Sequence, residues 1–429
     1  MARSSRHRDK KPSPARRVTG RIEEIGAGGD GVALIDGARV YTPLTAPEDV
    51  AEIEMRGERG TLLGLVEASP HRVDAPCIHF GICGGCSLQH VAPDFYRAWK
   101  RDRVASALAR EGLGDLEVGG LVETPAATRR RAAFAVRRLR ERAAIGFNAR
   151  RSSQIIDLER CLILHPDLHR RLPGLKALAK GIDAAAFDLA ATLCDNGLDV
   201  AISGAIPAPS GRLVAALSDA ARLAGVVRLS VNSEILLQLA APVVHFDGIA
   251  VTPPPGGFLQ ASREGEAALI GLVKQAAAGA KKIADLFSGC GTFALPLARD
   301  ATLFAVDSDR ASIEALARAA GDAQGAGLKI NPVKSEARDL FERPLTAKEL
   351  KGFDAIVFDP PRAGAAAQAA EIAASGVATV IGVSCNPATF ARDARIIVGG
   401  GYALSQATPV DQFVYSPHVE LVGVFRKAG

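Results

Sequence analysis

Ser384-Cys385-Asn386-Pro387-Ala388-Thr389-Phe390-Ala391-Arg392-Asp393 follows the short apolar run Ala378-Thr379-Val380-Ile381-Gly382-Val383. The run is rich in β-branched residues with polar residues after it, so it reads as a buried strand. Asn386-Pro387 stops it, and a helix can start with Pro387 in its first turn. The Cys385 thiol then sits where a strand ends, which is where open α/β sheets bind ligands. A lone cysteine of this kind is more often a buried structural residue. The rest of the C-terminal half argues for chemistry instead.

Upstream, a tight loop, Thr252-Pro253-Pro254-Pro255-Gly256-Gly257-Phe258-Leu259-Gln260-Ala261-Ser262, leads into a helix expected from Glu264 to Ala278. From there the chain alternates strand and helix to its end, the signature of a doubly wound α/β sheet. Its first strand ends in Asp285-Leu286-Phe287-Ser288-Gly289-Cys290-Gly291-Thr292-Phe293, where glycines let the backbone approach a ligand closely. The second, Leu303-Phe304-Ala305-Val306-Asp307, ends in a carboxylate that can accept both ribose hydroxyls. Its distance from the glycine turn is near the roughly twenty residues of adenosine-binding folds. The loop lacks the full dinucleotide fingerprint and any Walker lysine, so the spacing points to an adenosine-containing cofactor of another kind. A further strand runs into Asp359-Pro360-Pro361-Arg362. The last begins His418-Val419-Glu420, and its Glu420 lies in an otherwise apolar run, where it needs a partner or a task.

Residues 18–70 hold short β-rich runs separated by turns. Gly26-Ala27-Gly28-Gly29-Asp30-Gly31 breaks the first pair, and Ile35-Asp36-Gly37-Ala38 reads as a hairpin turn. The pattern suits a small barrel of the oligonucleotide-binding kind, which can equally be a generic interaction module. Residues 71–250 form a central α+β domain, and residues 251–429 the doubly wound domain. In the central part, Cys77, Cys83 and Cys86 are joined by Cys161 far downstream. Four thiolates are the usual complement of an iron–sulfur cluster. Structural zinc competes, but it usually pairs two Cys-x-x-Cys knuckles and only one is present. His79 and His90 read as bystanders, and Cys194 as a core residue.

The chain has 429 residues, 48% of them hydrophobic and 23% charged, which suits a soluble protein of two or three domains. No apolar run approaches the roughly 20 residues that cross a bilayer, and no signal peptide is apparent, so the cytoplasm is expected. Seven cysteines there argue for metal or catalysis rather than disulfides. The net charge of +5 hides a segregation. Residues 1–17 read as a disordered basic tail, and residues 129–151 carry nine arginines against Glu141; the rest is net acidic. Basic segments on an acidic protein suggest a polyanion partner. The second segment reads as a hairpin with a basic face, with Arg137, Arg138 and Arg140 expected to meet phosphates.

Together these motifs resemble the RNA uracil-5-methyltransferase family, and the resemblance covers everything after the tail. It implies a class I methyltransferase domain, an N-terminal barrel like the family's TRAM domain, and S-adenosylmethionine as methyl donor. By resemblance, Gln260, Phe287, Asp307 and Asp359 line the cofactor site, while Cys77, Cys83, Cys86 and Cys161 match the ligands of a 4Fe-4S cluster. Family members often carry Cys where Ser288 stands. Cys385 is then the nucleophile and Glu420 the base. Barrel plus cluster favour the branch that modifies 23S ribosomal RNA, acting as a monomer. The alternatives are a transfer RNA uracil-5-methyltransferase and an RNA-binding factor without catalysis, against which intact Cys385 and Glu420 argue.

Overall fold

The computed structural model describes residues 14–207 and 211–428. Contacts divide the chain into two units, Met1–Gly81 with Gly85–Trp99 and Tyr415–Pro417, and Ile82–Gly84 with Lys100–Val414 and His418–Gly429.

The first unit holds a closed barrel of β1 (Arg16–Ile25), β2 (Gly31–Ile35), β3 (Ala38–Thr42), β4 (Val50–Arg56) and β5 (Arg59–Glu67), in the order β1-β2-β3-β5-β4. The expected turn joins β2 to β3: Ile35 pairs with Ala38, and Asp36 and Gly37 both have positive φ, as a type I′ turn requires. Alternate residues of the strands point inward, and Ile22, Ala33, Val40, Ala51 and Ile53 fill the barrel. The tail expected over residues 1–17 falls largely on residues 1–13, outside the described residues. Arg16 and Arg17 instead open β1, where Arg16 pairs with Met55 and its guanidinium meets Asp36. Helix α1 (Pro93–Arg110) begins in this unit, where Trp99 Nε1 donates to the Ile25 carbonyl at 2.9 Å.

The second unit holds two large sheets. Strand β6 (Val122–Glu123) is followed by β7 (Arg131–Arg138), β8 (Ala143–Asn148) and β9 (Ile155–Asp157). Helices α2 (Pro166–Arg170) and α3 (Leu172–Lys180) precede β10 (Ala186–Cys194) and β11 (Gly197–Ser203). After α4 (Gly211–Ala224) come β12 (Val226–Val231) and β13 (Glu234–Gln238). These strands form a sheet in the order β13-β12-β11-β10-β7-β8-β9. The arginine-rich segment is the expected hairpin, β7 against β8, closed between Leu139 and Arg142. Cys194 is buried, as expected. A small hairpin, β14 (Val244–Phe246) and β15 (Ile249–Val251), leads to α5 (Arg263–Ala276), which Ser262 caps by accepting from Gly265 N.

The doubly wound part runs β16 (Lys282–Leu286), α6 (Ala294–Leu297), β17 (Thr302–Asp307), α7 (Arg310–Gly325), β18 (Val333–Ala337), α8 (Ala347–Leu350), β19 (Ala355–Phe358), α9 (Ala366–Ser375), β20 (Thr379–Ser384), α10 (Pro387–Gly399), β21 (Tyr402–Asp411) and β22 (Glu420–Lys427). Its sheet order is β18-β17-β16-β19-β20-β22-β21-β6, parallel from β18 to β20, with β22 antiparallel to both β20 and β21. The central strands read as unbroken apolar runs because both faces are covered. Ala284, Leu286, Ile356 and Phe358 pack one face against α9 and α10; Ile283, Leu303, Val357 and Ile381 pack the other against α5 and α6. Strand order reverses between β16 and β19, so the crevice beyond their carboxyl ends is the expected ligand position. The edge strand β6 comes from far upstream, a pairing that no local pattern signals.

Candidate active site

Two side chains of opposite chemistry meet across neighbouring strands. Ser384, the last residue of β20, pairs with Leu421 near the start of β22. Cys385 and Glu420 are the next residues outward, Cys385 just past the end of β20 and Glu420 the first residue of β22. Cys385 is half-buried and Glu420 is buried. Burial, and after it Asp359, push the Glu420 carboxyl up to about 8, against a hydrogen bond from Gln412 and the charge of Arg362. Burial raises the Cys385 thiol, with Glu420 and Asp359 adding to the shift; the Arg362 guanidinium beside it pulls the other way. A base near neutrality beside a thiol that needs a cation to ionise is an arrangement that can add to, and take a proton from, one bound molecule.

The stretch from Ser384 to Asp393 uses its polar residues to hold a loop. Asn386 Nδ2 and Thr389 Oγ1 both donate to the Arg362 carbonyl, at 3.0 and 3.2 Å. One turn further along α10, Arg392 Nη2 donates to the Ala363 carbonyl at 3.0 Å, and Asp393 Oδ2 accepts from Ala365 N at 2.6 Å. Spacings of three and four residues put all four on one helix face. Gly364 lies at φ +71°, where a side chain would meet Arg392 Nη2 at 2.5 Å. The segment from Asp359 to Gly364 is thereby latched to α10, which places Arg362 beside Cys385.

Of the four residues expected at a cofactor, Phe287 and Asp359 directly follow the two strands of the switch point and Asp307 ends the strand beside them. Phe287 follows β16 at φ +62°, and its ring lies 5.6 Å from that of Phe341. Asp307 ends β17; its oxygens accept from Gly289 N at 2.9 Å and Asp309 N at 2.8 Å. A carboxylate has about four acceptor sites, so two remain for ribose hydroxyls. Asp359 follows β19, its amide donating to the Leu286 carbonyl at 3.2 Å. It keeps some exposed surface, yet desolvation, and after it Asp307, push its carboxyl up to about 7. Gln260 is buried just ahead of α5. Asp285 is buried as well. Among the described residues neither of its oxygens has a hydrogen-bond partner, although the Ala294 amide holds its carboxyl down somewhat, and Ser288 Oγ is likewise without one. Buried carboxylates in this number suit a ligand carrying positive charge.

Several site residues escape a reading of the sequence. Gln412, just past β21, bonds both Gln260 and Glu420. His418 Nε2 meets Arg362. Arg130 belongs to the arginine-rich segment expected to face a polyanion, but it is buried. It pairs with Glu266 at 2.5 Å and donates from Nε to the Gln260 carbonyl. Arg137, Arg138 and Arg140 are exposed, with Arg138 paired to Asp183 at 2.8 Å. Cys77 and Cys86 fall in the first unit, and Cys83 and Cys161 in the second. All four are half-buried and free of disulfides. Among the described residues, no three His, Cys, Asp or Glu form a group able to hold a metal ion.

Comparison with known proteins identifies relatives of this chain. The family model for tRNA (Uracil-5-)-methyltransferase matches residues 255–428. An uncharacterized RNA methyltransferase of Rhizobium meliloti (strain 1021) is 43% identical over 417 residues, covering 95% of this chain and 98% of that protein. The 23S rRNA (uracil(1939)-C(5))-methyltransferase RlmD of Pseudomonas entomophila is 33% identical, covering 94% and 92%. A crystal structure of the Pyrococcus abyssi tRNA (uracil-54, C5)-methyltransferase, in complex with S-adenosyl-L-homocysteine, shares the fold with a TM-score of 0.71 at 23% identity, covering 95% of this chain and all of that one.

Proposed function

The chain belongs to the RNA uracil-5-methyltransferase family, and from that premise we propose how it methylates carbon 5 of a uridine with S-adenosylmethionine. Cys385 is the nucleophile and Glu420 the base. Carbon 5 of uracil is a poor nucleophile. When the Cys385 thiolate bonds to carbon 6, the pair from the 5,6 double bond moves into an enolate, and carbon 5 can attack an electrophilic methyl group. Glu420 then removes the carbon 5 proton, the double bond re-forms, and the thiolate leaves. The target base must leave its stack to reach these groups. What supports the assignment most is the opposed pair Cys385 and Glu420, with Arg362 beside the thiol to favour its charged form.

S-adenosylmethionine supplies the methyl group as a sulfonium. Asp307, Asp359, Phe287 and Gln260 are the residues we assign to it. The buried acids and the unpartnered Asp285 and Ser288 suit its two positive centres and its hydroxyls. The target we propose is 23S ribosomal RNA, supported by the full-length likeness to the Pseudomonas enzyme. Among the described residues no helix is long and apolar enough to cross a membrane, and we place the protein in the cytoplasm as a monomer. Mapping 5-methyluridine in RNA from a deletion strain tests the target. Loss at one 23S position is expected; loss from transfer RNA would transfer the assignment there, and no loss would contradict catalysis.

Cys77, Cys83, Cys86 and Cys161 we assign to an iron–sulfur cluster, on their spacing and half-burial. By contrast, burial pushes the Cys194 and Cys290 thiols up to about 12, which disfavours them as thiolate ligands. No step of methyl transfer is routed through the cluster. Protein purified without oxygen should be brown with broad visible absorption, whereas colourless protein with stoichiometric zinc would overturn this assignment.

A further inference from the structure

Asn386 stands between Cys385 and α10 and divides its side chain between two tasks. Its Oδ1 accepts from the Ala388 amide at 3.1 Å, capping the helix, and its Nδ2 donates to the Arg362 carbonyl at 3.0 Å. The two ends of a side-chain amide are ordinarily hard to tell apart. Here the partners decide, because a backbone N–H only donates and a carbonyl only accepts. Pro387 keeps Asn386 extended, at φ −135° and ψ 101°, which fixes the direction of its side chain. Its own amide donates to Ser384 Oγ at 3.1 Å and so ties it back to the end of β20. Thr389 Oγ1 reaches the same Arg362 carbonyl at 3.2 Å. A carbonyl oxygen has two lone pairs, so this one is gripped twice. Pro361, Arg362 and Ala363 are exposed and belong to no strand or helix, so the grip matters to where they stand. The Arg362 side chain runs the other way, to His418 and to the Cys385 thiol.

We propose that Asn386 and Thr389 are positioning residues for the thiol: by gripping the Arg362 carbonyl they keep its guanidinium against Cys385. The helix that begins in the nucleophile's own motif then also sets how readily the nucleophile ionises. The proposal deepens the reading of Cys385 as nucleophile and rests on it. The charged groups that face the thiol are Glu420 from β22, and Asp359 and Arg362 from the loop after β19. The two acids push the thiol up, as burial does, and Arg362 opposes them by its charge and by a hydrogen bond. A hydrogen bond weakens steeply once its geometry slips, so a small drift of the loop is enough to lose it.

Alkylation of Cys385 by iodoacetamide reads thiol ionisation without RNA. It can be followed across pH on the full-length protein by mass spectrometry of the peptide that holds Cys385. Asn386→Ser keeps a helix cap, since serine caps about as well as asparagine, but its side chain is too short to reach Arg362. Thr389→Val keeps the shape and loses the hydroxyl. Each should move the alkylation profile to higher pH and slow the reaction near neutrality about two- to tenfold, the loss of one ordinary hydrogen bond. The two together should approach Arg362→Met. In an Arg362→Met background neither should move the profile further, because the grip then holds no charge. A role confined to capping or packing would lower Tm and leave the profile where it is. Unmoved profiles, an equal shift with and without Arg362, or a wild-type profile in Arg362→Met would each overturn the proposal. Target RNA separates it from the uridine reading. A wild-type protein that neither methylates that RNA nor bonds to it would sink the uridine reading, while shifted alkylation profiles would still bear out the grip on the thiol.

Discussion

Arg362 Nη2 lies 3.3 Å from His418 Nε2. A guanidinium only donates, so the ring nitrogen must accept, which requires a neutral imidazole. His418 keeps exposed surface, but partial burial, and after it the cations Arg362, Lys100, Arg103 and Arg129, hold it below the usual imidazole range. A neutral partner anchors Arg362 without cancelling its charge, which remains available to the Cys385 thiol.

Replacing Arg362 with Met should therefore slow formation of the RNA adduct and move its pH dependence upward. A hydrogen bond to a charged group contributes about 1.5–3 kcal/mol, or roughly ten- to a hundredfold in rate. Arg362→Lys should recover part of the loss. Single-turnover adduct formation across pH checks this, and an unmoved pH profile would remove Arg362 from thiol activation.

The buried acids make a stability prediction with a definite sign. Glu420 is raised from 4.5 to about 8, and Asp359 from 3.8 to about 7. A carboxyl with a raised folded pKa stabilises the fold fully below its unfolded value, and that contribution is lost as pH rises through the folded value. Glu266, raised from 4.5 to about 7, acts in the same direction. His418, lowered from 6.5 to about 4, contributes more stability as pH rises through that interval and offsets part of the fall. Asp157 and Asp195 are lowered and act only below the ordinary carboxylate range. The Tm of ligand-free protein should thus fall as pH climbs from about 4.5 to about 8. The Tm gain from a cationic cofactor should grow over the same window. Calorimetry with and without S-adenosylmethionine checks both, and a pH-independent gain would contradict the charge match.

Lys100 and Asp411 are both buried, with Nζ 2.8 Å from Oδ1. Nζ also donates to the carbonyls of Phe413 and His418, which bracket the connection into β22. Lys100→Met removes the cation that faces the buried Asp411 carboxylate. Breaking such a pair costs about 3–5 kcal/mol, so a large fall in the denaturant midpoint is expected. A change below about 1 kcal/mol would mean that solvent reaches the pair.

How much of this is legible in the sequence depends on how far apart the partners lie along the chain. The β20–Cys385–α10 unit can be read because one short stretch contains the strand, its stop and the helix start. Asp307 and Glu420 stand out as acids ending or beginning apolar strands. Gln412 does not, since its partner Gln260 lies 152 positions away and a polar residue at a strand end is unremarkable in sequence. Arg130 misleads for the converse reason. In a run of arginines nothing marks the one that folds inward to Glu266, 136 positions on. Lys100 on α1 looks like any helix-surface lysine until the fold supplies Asp411.

Neutralising Arg137, Arg138 and Arg140 together should weaken RNA binding and flatten its salt dependence, by roughly 0.7–0.9 in log–log slope for each phosphate left without its arginine. An unchanged slope would leave these arginines on a merely solvated face. Because Arg138 already pairs with Asp183, Arg137 and Arg140 should carry most of the effect.

The central claim is that Cys385 attacks the uridine and Glu420 releases it, and denaturing electrophoresis of Glu420→Gln after reaction with target RNA and methyl-labelled S-adenosylmethionine tests it most directly. A positioned base contributes roughly a hundred- to ten-thousandfold to proton removal, so the variant should add and methylate yet stall before release. The account predicts a methyl-labelled RNA–protein adduct that survives denaturation and is absent from Cys385→Ala. Normal turnover by Glu420→Gln, or an adduct that persists in Cys385→Ala, would contradict it.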